Sequence, residues 1–160
     1  MFKKVITIVS VVAALALVGG TFVYAAQPKN PITGPTTVQF TAKTNMQHSM
    51  NHPPSRLNIG DGFAFHDLIL QNGKRIGADA GSCTYTQLRF NHRLASFLCN
   101  VTFALPRGQV NVQGLINFKD FRTGRALGVD GGTGAYRAVR GIAMLNFQHD
   151  NLHVTLQLLP

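Results

Sequence analysis

Apolar and polar residues alternate in short segments over most of the chain, and this pattern is the main structural signal of the sequence. Such alternation has the period of a β-strand, whose successive side chains point to opposite faces. We therefore expect each segment to form a strand with one buried face and one polar face. The predicted strands cover residues 36–43, 62–70, 82–90, 95–105, 110–118, 126–129, 141–147 and 152–158.

Glycine-containing turns between these segments favour an antiparallel arrangement of the strands. The clearest turns are Asn72-Gly73, Arg107-Gly108 and Thr123-Gly124. About eight antiparallel strands can close into a barrel, which removes exposed sheet edges and leaves an interior that is packed or holds one small ligand. The predicted fold class is all-β: a small eight-stranded antiparallel β-barrel over residues 36–160, with a lipocalin-like cavity.

A polar segment at residues 44–55 interrupts the pattern and ends in two prolines, so we do not expect it to continue as a central strand. Within it, Met and His occupy every second position. If the segment is extended, these side chains share one side, where thioether and imidazole groups suit copper, especially Cu(I). The alternative is a polar loop near the barrel mouth. The candidate metal ligands are Met46, His48, Met50 and His52.

The first residues have the pattern of a secretory signal peptide. Lys3 and Lys4 precede an apolar stretch, and Val23 and Ala25 stand at the −3 and −1 positions of a cleavage site. We predict a signal peptide over 1–25, cleaved near Ala25, a mobile Pro-rich linker over 26–35, and a secreted or periplasmic protein. The alternative is an uncleaved anchor, because residues 5–26 could span a bilayer, and this would be the chain's contact with a membrane.

Composition narrows the function classes. The chain has 160 residues and a formal net charge of +9, with 15 Lys and Arg against 6 acidic residues. All six acids are Asp, which excludes any mechanism that needs a glutamate base or ligand. The basic residues fall singly or in pairs rather than in a stripe interleaved with aromatics, so we expect no nucleic-acid binding. Such a surface tolerates anionic lipids or favours an acidic ligand.

Two cysteines flank position 91 symmetrically. A hairpin that turns at residues 90–92 would place Cys83 and Cys99 directly opposite each other on adjacent strands. Directly opposed residues have Cα atoms about 4.5 Å apart when they form no hydrogen-bonded pair, which is close to the disulfide range. An exported protein meets an oxidising compartment, so a disulfide is predicted. The alternative is two free thiols, one of them lining the interior.

Asp67 shares a predicted strand face with Phe63, Phe65 and Ile69. Burial among apolar side chains disfavours the carboxylate and raises its pKa, which is typical of a general acid or base. The structural alternative is a buried acceptor satisfied by backbone groups or by Tyr85. A dyad of Asp67 with the adjacent histidine is not expected, because neighbouring residues of a strand face opposite sides.

Several motifs resemble those of the allene oxide cyclases and of bacterial proteins with the same barrel, over roughly residues 60–145. The glycine-rich stretch that begins at Gly131 also resembles dirigent proteins. The motifs are Gly60-Asp61, Arg75-Ile76-Gly77-x-x-Ala80-Gly81-x-Cys83, Val112-Gln113-Gly114 and Gly131-Gly132-Thr133-Gly134-Ala135-Tyr136.

The resemblance implies a hydrophobic cavity that binds an oxidised fatty-acid or phenolic intermediate and controls its stereochemistry without a cofactor. Asp67 stands where the plant cyclases have a water-binding Asn, and Cys83 stands where they have a cavity Cys. Ile116 replaces a cavity Tyr, and the family's polarising Glu has no counterpart. The residues expected to contact the ligand are Phe63, Phe65, Cys83, Tyr85, Val112 and Ile116.

Three functions are therefore compatible with the sequence. The first is an exported barrel that binds a small hydrophobic or amphipathic molecule and acts as a cofactor-independent isomerase or cyclase. The second is a non-enzymatic, dirigent-like or ligand-binding protein. The third is a periplasmic copper binder. The relatives imply a homo-oligomer, whereas the polar outer faces also suit a monomer.

Overall fold

The computed structural model describes residues 30–50, 57–88, 95–148 and 151–160, with the backbone alone at residues 121 and 122. Eight antiparallel strands form a closed barrel in chain order, which confirms the predicted fold class. The strands are β1 Thr36–Met50, β2 Gly62–Gln71, β3 Lys74–Gln87, β4 Ser96–Leu105, β5 Gly108–Asn117, β6 Arg125–Gly132, β7 Arg140–Gln148 and β8 Asn151–Leu159. A short helix α1, Asp120–Thr123, precedes β6, and a 3₁₀ turn, Gly134–Tyr136, follows it.

Alternating apolar residues of neighbouring strands meet inside the barrel. On β4 and β5 the pattern is regular: Val101 pairs with Val112 and Phe103 pairs with Val110, and all four side chains are buried. The ring of Phe40 on β1 meets Phe103 edge to face, with 5.1 Å between the ring centroids. Burial of this apolar area stabilises the closed barrel, because each square ångström removed from water contributes about 25 cal/mol.

Strand β1 is longer than predicted, and the expectation that the polar segment leaves the sheet was wrong for residues 44–50. Strand β8 pairs with β1 only as far as Lys43, whereas β2 pairs with β1 up to Met50. Among the described residues, 44–50 therefore have one paired edge, the edge toward β2. A strand paired on one side does not need two apolar neighbours, so polar residues are compatible with it.

Strand β3 begins at Lys74, eight residues before the predicted start. Its first half contains Gly77 and Gly81 and lacks apolar alternation, so it gave no strand pattern. Both glycines have close neighbours: a Cβ at Gly77 would collide with the Ala104 carbonyl, and one at Gly81 would lie 2.6 Å from the Phe65 ring. Small residues are thus required there by the approach of β4 and of an interior aromatic ring.

The segment before β1 closes one end of the barrel. Ile32 is 8% exposed and packs with the core, and its backbone N–H donates to the Ala135 carbonyl at 3.1 Å. The Arg107 guanidinium donates to the Asn30 carbonyl at 3.4 Å. The described part of the predicted linker is therefore held against the barrel rather than free of it. One Ile among Pro and Gly has no period, so its burial could not be inferred from a pattern.

Several predictions concern residues outside the described ranges. They are the signal peptide over 1–25 with its cleavage near Ala25, the start of the linker over 26–29, His52, and the turn at 90–92. Within the described ranges, no helix is long and apolar enough to cross a membrane.

Candidate functional site

A cavity of about 500 Å³ lies inside the barrel. Its aromatic walls are formed by Phe63, Phe65, Phe103 and Phe147. Aliphatic side chains complete the apolar lining, namely Val101, Ile116, Leu145 and Leu152. Ligand-binding cavities in proteins have volumes of about 300–1,000 Å³ and combine apolar walls with a few polar groups, so this cavity can hold one small molecule.

Polar residues line the cavity where β1 and β8 separate. Lys43 and Asn151 form the last register pair between these strands, and both line the cavity. Gln47 is the next cavity-lining residue of β1 after a bulge at Asn45. Lys43 and Gln47 are exposed and Asn151 is half-buried, so this end of the cavity meets solvent. The cavity thus combines an apolar interior with a polar, solvent-facing mouth.

Two carboxyl groups face each other in the cavity wall. Asp67 on β2 and Asp79 on β3 are direct register partners, and their side chains are 5% and 2% exposed. Oδ1 of Asp67 and both carboxyl oxygens of Asp79 are buried and have no hydrogen-bond partner in the part of the chain that the structure describes. Directly opposed Cβ atoms of antiparallel strands lie about 4.5–5.5 Å apart, so the two carboxyl groups interact electrostatically.

Burial and the neighbouring charge perturb both acids. Burial, and then the negative charge of Asp67, raise the pKa of Asp79 from 3.8 to about 7. The backbone N–H of Asp67 points toward the Asp79 carboxyl group and lowers its pKa slightly. This N–H forms no hydrogen bond with either carboxyl oxygen of Asp79. Burial also raises the pKa of Asp67, with partial compensation from the Asn45 backbone N–H, the charge of His66 and the Thr44 hydroxyl. A raised pKa favours the protonated form, so near neutral pH the Asp79 carboxyl group is protonated in part of the molecules.

The neighbouring strands determine what surrounds this carboxyl pair. Thr44 on β1 is the register partner of Asp67, and Phe103 on β4 is the register partner of Asp79. The hydroxyl group of Thr44, the two carboxyl groups and the phenyl ring of Phe103 therefore lie side by side on four neighbouring strands, β1 to β4. The bulge at Asn45 turns its backbone N–H toward Asp67, as bulges beside functional sites often redirect a group.

The two cysteines join β3 to β4 within the same cavity wall. Cys83 and Cys99 are direct register partners and form a disulfide with an S–S distance of 1.99 Å and a Cα–Cα distance of 4.1 Å. Both residues line the cavity. The bond fixes the two strands that carry Asp79 and Phe103, so it stabilises the geometry of the site as well as the fold.

Of the six residues expected to contact a ligand, the structure places Phe63, Phe65, Cys83 and Ile116 on the cavity wall. Val112 is buried in the packed core and does not line the cavity. Tyr85 does not line it either, because its ring packs on Phe97 with the centroids 4.7 Å apart. Burial, and then the charge of Asp61, raise the Tyr85 pKa. Alternation identifies which side chains point inward, but not which inward side chains are covered by others.

Asp79 is the principal residue that the sequence analysis missed. Its signal was present, because counting back by two from Cys83 gives Gly81 and then Asp79 on the same inward face. The surrounding Gly and Ala residues hid the strand and therefore hid its direction. Thr44 and Gln47 were missed because the polar segment was not expected to remain in the sheet, and Lys43, the last residue of the predicted first strand, was missed because it alternates with the apolar face of that strand.

The predicted metal-binding set does not lie in the cavity. Gln47 lines the cavity, so Met46 and His48 on either side of it face outward, and Met50 lies on the same outer face. His52 lies outside the described residues. Within the described ranges, no three or more His, Cys, Asp or Glu residues are grouped so that they could hold a metal ion. Any metal site here would need the methionine thioethers.

Solved structures of other proteins share this architecture. The chain is 22% identical to a pyocyanin demethylase, with a TM-score of 0.67 over 77% of this chain and 99% of that one. It is 15% identical to AbnU, an exo-specific intermolecular Diels-Alderase, with a TM-score of 0.61 over 78% of this chain and 97% of that one. The chain is also 16% identical to a nonspecific heme-binding cyclase that catalyses [4 + 2] cycloaddition in neoabyssomicin biosynthesis. The TM-score is 0.59, and the match covers 78% of this chain and 63% of that one.

At these identities the structural likeness shows the fold alone. No curated protein matches the chain significantly. A family model described as the allene oxide cyclase barrel like domain matches residues 36–157, which is most of the chain. The protein therefore belongs to the allene oxide cyclase barrel like family.

Proposed function

We propose that this barrel binds a small apolar or amphipathic molecule and isomerises or cyclises it without an organic cofactor, with Asp67 and Asp79 transferring the protons. The observation that carries the proposal is the pair of opposed, buried carboxyl groups, three of whose oxygens have no partner among the described residues, in a cavity of ligand size. Buried polar groups in proteins are almost always hydrogen-bonded, so such a pair marks a site where a bound molecule supplies the partners.

The carboxyl pair suits reactions that move protons and consume no electrons. The protonated acid donates its proton to a substrate oxygen, and the ionised acid accepts a proton from a neighbouring C–H or O–H group. The pair then returns to its starting state by exchanging the proton, and the product is an isomer of the substrate. A pKa of about 7 for Asp79 favours this chemistry, because a catalytic acid or base works best near the ambient pH.

The cavity also favours a class of ligand. Its walls are apolar, so they suit an aliphatic or aromatic body, whereas Lys43, Gln47 and Asn151 line the solvent-facing end. A molecule with an apolar body and a polar end would place each part in a matching environment. This matches the amphipathic class expected from the sequence.

The test begins with native mass spectrometry of the protein purified without added ligand, which identifies any molecule retained in the cavity. That molecule, or a set of unsaturated oxygenated acids and phenols of similar size, is then incubated with the protein. Conversion is followed by chromatography at constant mass. We expect Asp79→Asn and Asp67→Asn to reduce turnover by at least a hundredfold, the usual scale of general acid–base catalysis, while ligand binding persists.

A matched control is Asp130→Asn, which removes an exposed carboxyl group from β6 outside the cavity. Its turnover should equal that of the unmodified protein. Full turnover in both Asp67→Asn and Asp79→Asn would exclude the carboxyl pair from the reaction.

A non-enzymatic ligand-binding or dirigent-like role is the second candidate. It is supported by the extent of the apolar wall, which can hold and orient a ligand without any proton transfer. Binding of the retained molecule with unchanged chemistry, and equal affinity in Asp79→Asn, would favour this role over catalysis.

Export remains part of the proposal and rests on the sequence of residues 1–25. We expect the protein recovered from a secretion-competent host to begin at Ala26. Intact mass and N-terminal sequencing of the secreted or periplasmic fraction test this, and a full-length chain in the membrane fraction would support the anchor instead.

A further inference from the structure

We propose that the outer face of the barrel carries a binding site for a soft monovalent metal ion, Cu(I), built from Met46 and His48 on β1 and His66 on β2. The site is separate from the cavity and goes beyond the proposed function. It differs from the set read from the sequence because a cross-strand histidine joins the ligands.

Strand register brings these residues together. Met46 is the direct partner of His66, His48 is the partner of Ala64, and Met50 is the partner of Gly62. Directly opposed Cβ atoms lie about 4.5–5.5 Å apart, and diagonal neighbours about 7–8 Å apart, within reach of long side chains. The thioether of Met46 and the imidazoles of His48 and His66 can therefore converge above the sheet.

The three ligand side chains lie on the same side of the sheet. The inward residues of β2 are Phe63, Phe65 and Asp67, which line the cavity, so His66 between them points outward. On β1 the bulge at Asn45 resets the alternation, and Gln47 lines the cavity between two outward residues. Without that bulge, Met46 would share the inward side of Thr44, and the cluster would not form.

The surface around the cluster leaves room for an ion. The register partners of His48 and Met50 are Ala64 and Gly62, so β2 presents almost no side chain against them. On the far side of His66 its partner on β3 is Ala80, which is equally small. Beyond Lys43 the other edge of β1 has no pairing with β8. His48 can thus lean across β2 toward His66 without steric conflict, whereas Met50 lies four residues farther along β1 than Met46 and is too distant to bind the same ion.

The exposure of the methionines also points to a ligand. Met46 is 64% exposed and Met50 is 39% exposed on a strand segment with one paired edge among the described residues, beside an exposed His48 and a half-buried His66. Grouped apolar side chains on an otherwise polar surface indicate a binding role more often than isolated ones do. Here the apolar groups are thioethers, which are metal ligands.

The donor set selects the ion. Two imidazoles and one thioether are soft or borderline donors, a combination that suits Cu(I) and gives little to Mg²⁺ or Ca²⁺. Zn²⁺ prefers thiolate, imidazole and carboxylate ligands, and the described residues contain no group of three or more His, Cys, Asp or Glu suited to a metal. Binding needs no redox step, since Cu(I) is supplied and held in the same oxidation state.

The test uses the full-length protein, titrated anaerobically with Cu(I) in competition with bicinchoninate, a chromogenic Cu(I) chelator. We expect one Cu(I) per chain. His66→Asn and Met46→Leu should each weaken binding by at least tenfold, because even a residue that only supports a metal ligand contributes about 10–100-fold to affinity. Both positions are on the outer surface, so the variants should fold normally.

Matched controls are Met144→Leu and His153→Asn, which change an outward Met on β7 and an exposed His on β8. Both should bind Cu(I) with unchanged affinity. Unchanged affinity in His66→Asn would overturn the cross-strand site, as would loss of binding in His52→Asn with His66→Asn unaffected. Equal losses in the control variants would show nonspecific binding and would equally reject the proposal.

A second measurement locates the ion without mutation. Ag(I), a redox-stable ion with the same preference for thioethers, is added to protein labelled at the methionine methyl groups. The resonance of Met46 should shift at one equivalent, and that of Met144 should stay in place. A shift of Met144 alone, or of no methionine, contradicts the proposal.

Discussion

Replacement of Asp79 by Asn tests the electrostatics of the carboxyl pair through the stability of the fold. The folded protein raises the pKa of Asp79 from 3.8 to about 7, chiefly by burial and then by the charge of Asp67. Between these values the folded state retains a proton that the unfolded state releases. Asp79 therefore contributes its full stabilisation below about pH 4, and the unfolding free energy decreases as pH rises until this stabilisation is lost above about pH 7.

The magnitude follows from the two pKa values. The interval from 3.8 to about 7 corresponds to about 4 kcal/mol, at about 1.4 kcal/mol for each pKa unit. About 3 kcal/mol of this lies between pH 5 and pH 8. Asp79 is 2% exposed, so solvent screens the effect little. Asn carries no charge, and Asp79→Asn should therefore gain stability relative to the unmodified protein as pH rises.

The assay is urea unfolding of both proteins at pH 5 and pH 8, with the disulfide intact. The difference in unfolding free energy between variant and parent should change by about 3 kcal/mol in favour of Asp79→Asn at pH 8. Asp130→Asn, which removes an exposed carboxyl group, should follow the parent at both pH values. Parallel pH dependence in the parent and Asp79→Asn would refute an Asp79 pKa near 7.

Two further predictions concern the parts of the fold that hold the site. Replacing Cys83 and Cys99 together by Ser should lower the unfolding free energy by about 3 kcal/mol, the entropy-based value for a loop of about 15 residues, and urea unfolding with and without reductant measures it. Reductant should destabilise the parent and leave the double variant unchanged; equal sensitivity of both would contradict it. Ile32→Ala should cost about 2–4 kcal/mol because it opens a buried space at the closed end of the barrel, whereas Ile59→Ala, at a 69% exposed position, should cost little in the same assay. An equal loss in both variants would show that Ile32 does not close the barrel.

The fold was predictable because its determinants are local and repeated. Alternation identified most of the strands, and hairpin glycines indicated their antiparallel order. The symmetric spacing of Cys83 and Cys99 about one turn predicted their cross-strand pairing, which the structure contains. Alternation failed to identify two strand segments. The beginning of β3 consists mainly of small residues, and the end of β1 is polar, so neither alternates between apolar and polar side chains.

The site was predictable only in part. The inward face of β2 identified Asp67, because its own apolar neighbours are two residues away on the same strand. Its partner Asp79 lies on β3, and their proximity comes from the register between the strands. The proximity of His66 to Met46 likewise comes from the register between β1 and β2.

The sequence by itself determined that the chain forms antiparallel strands around an apolar interior, because side-chain alternation records one buried face in each strand and the hairpin glycines record the reversals of direction. The tertiary structure decided which inward residues line an open cavity, that Ile32 closes one end, and that two carboxyl groups oppose each other without partners among the described residues. Those features depend on the pairing of strands and on a one-residue bulge at Asn45, which reverses the direction of every later side chain on β1. Contacts between strands and irregularities within them leave no periodic trace in the sequence, so the structure was needed to reveal them.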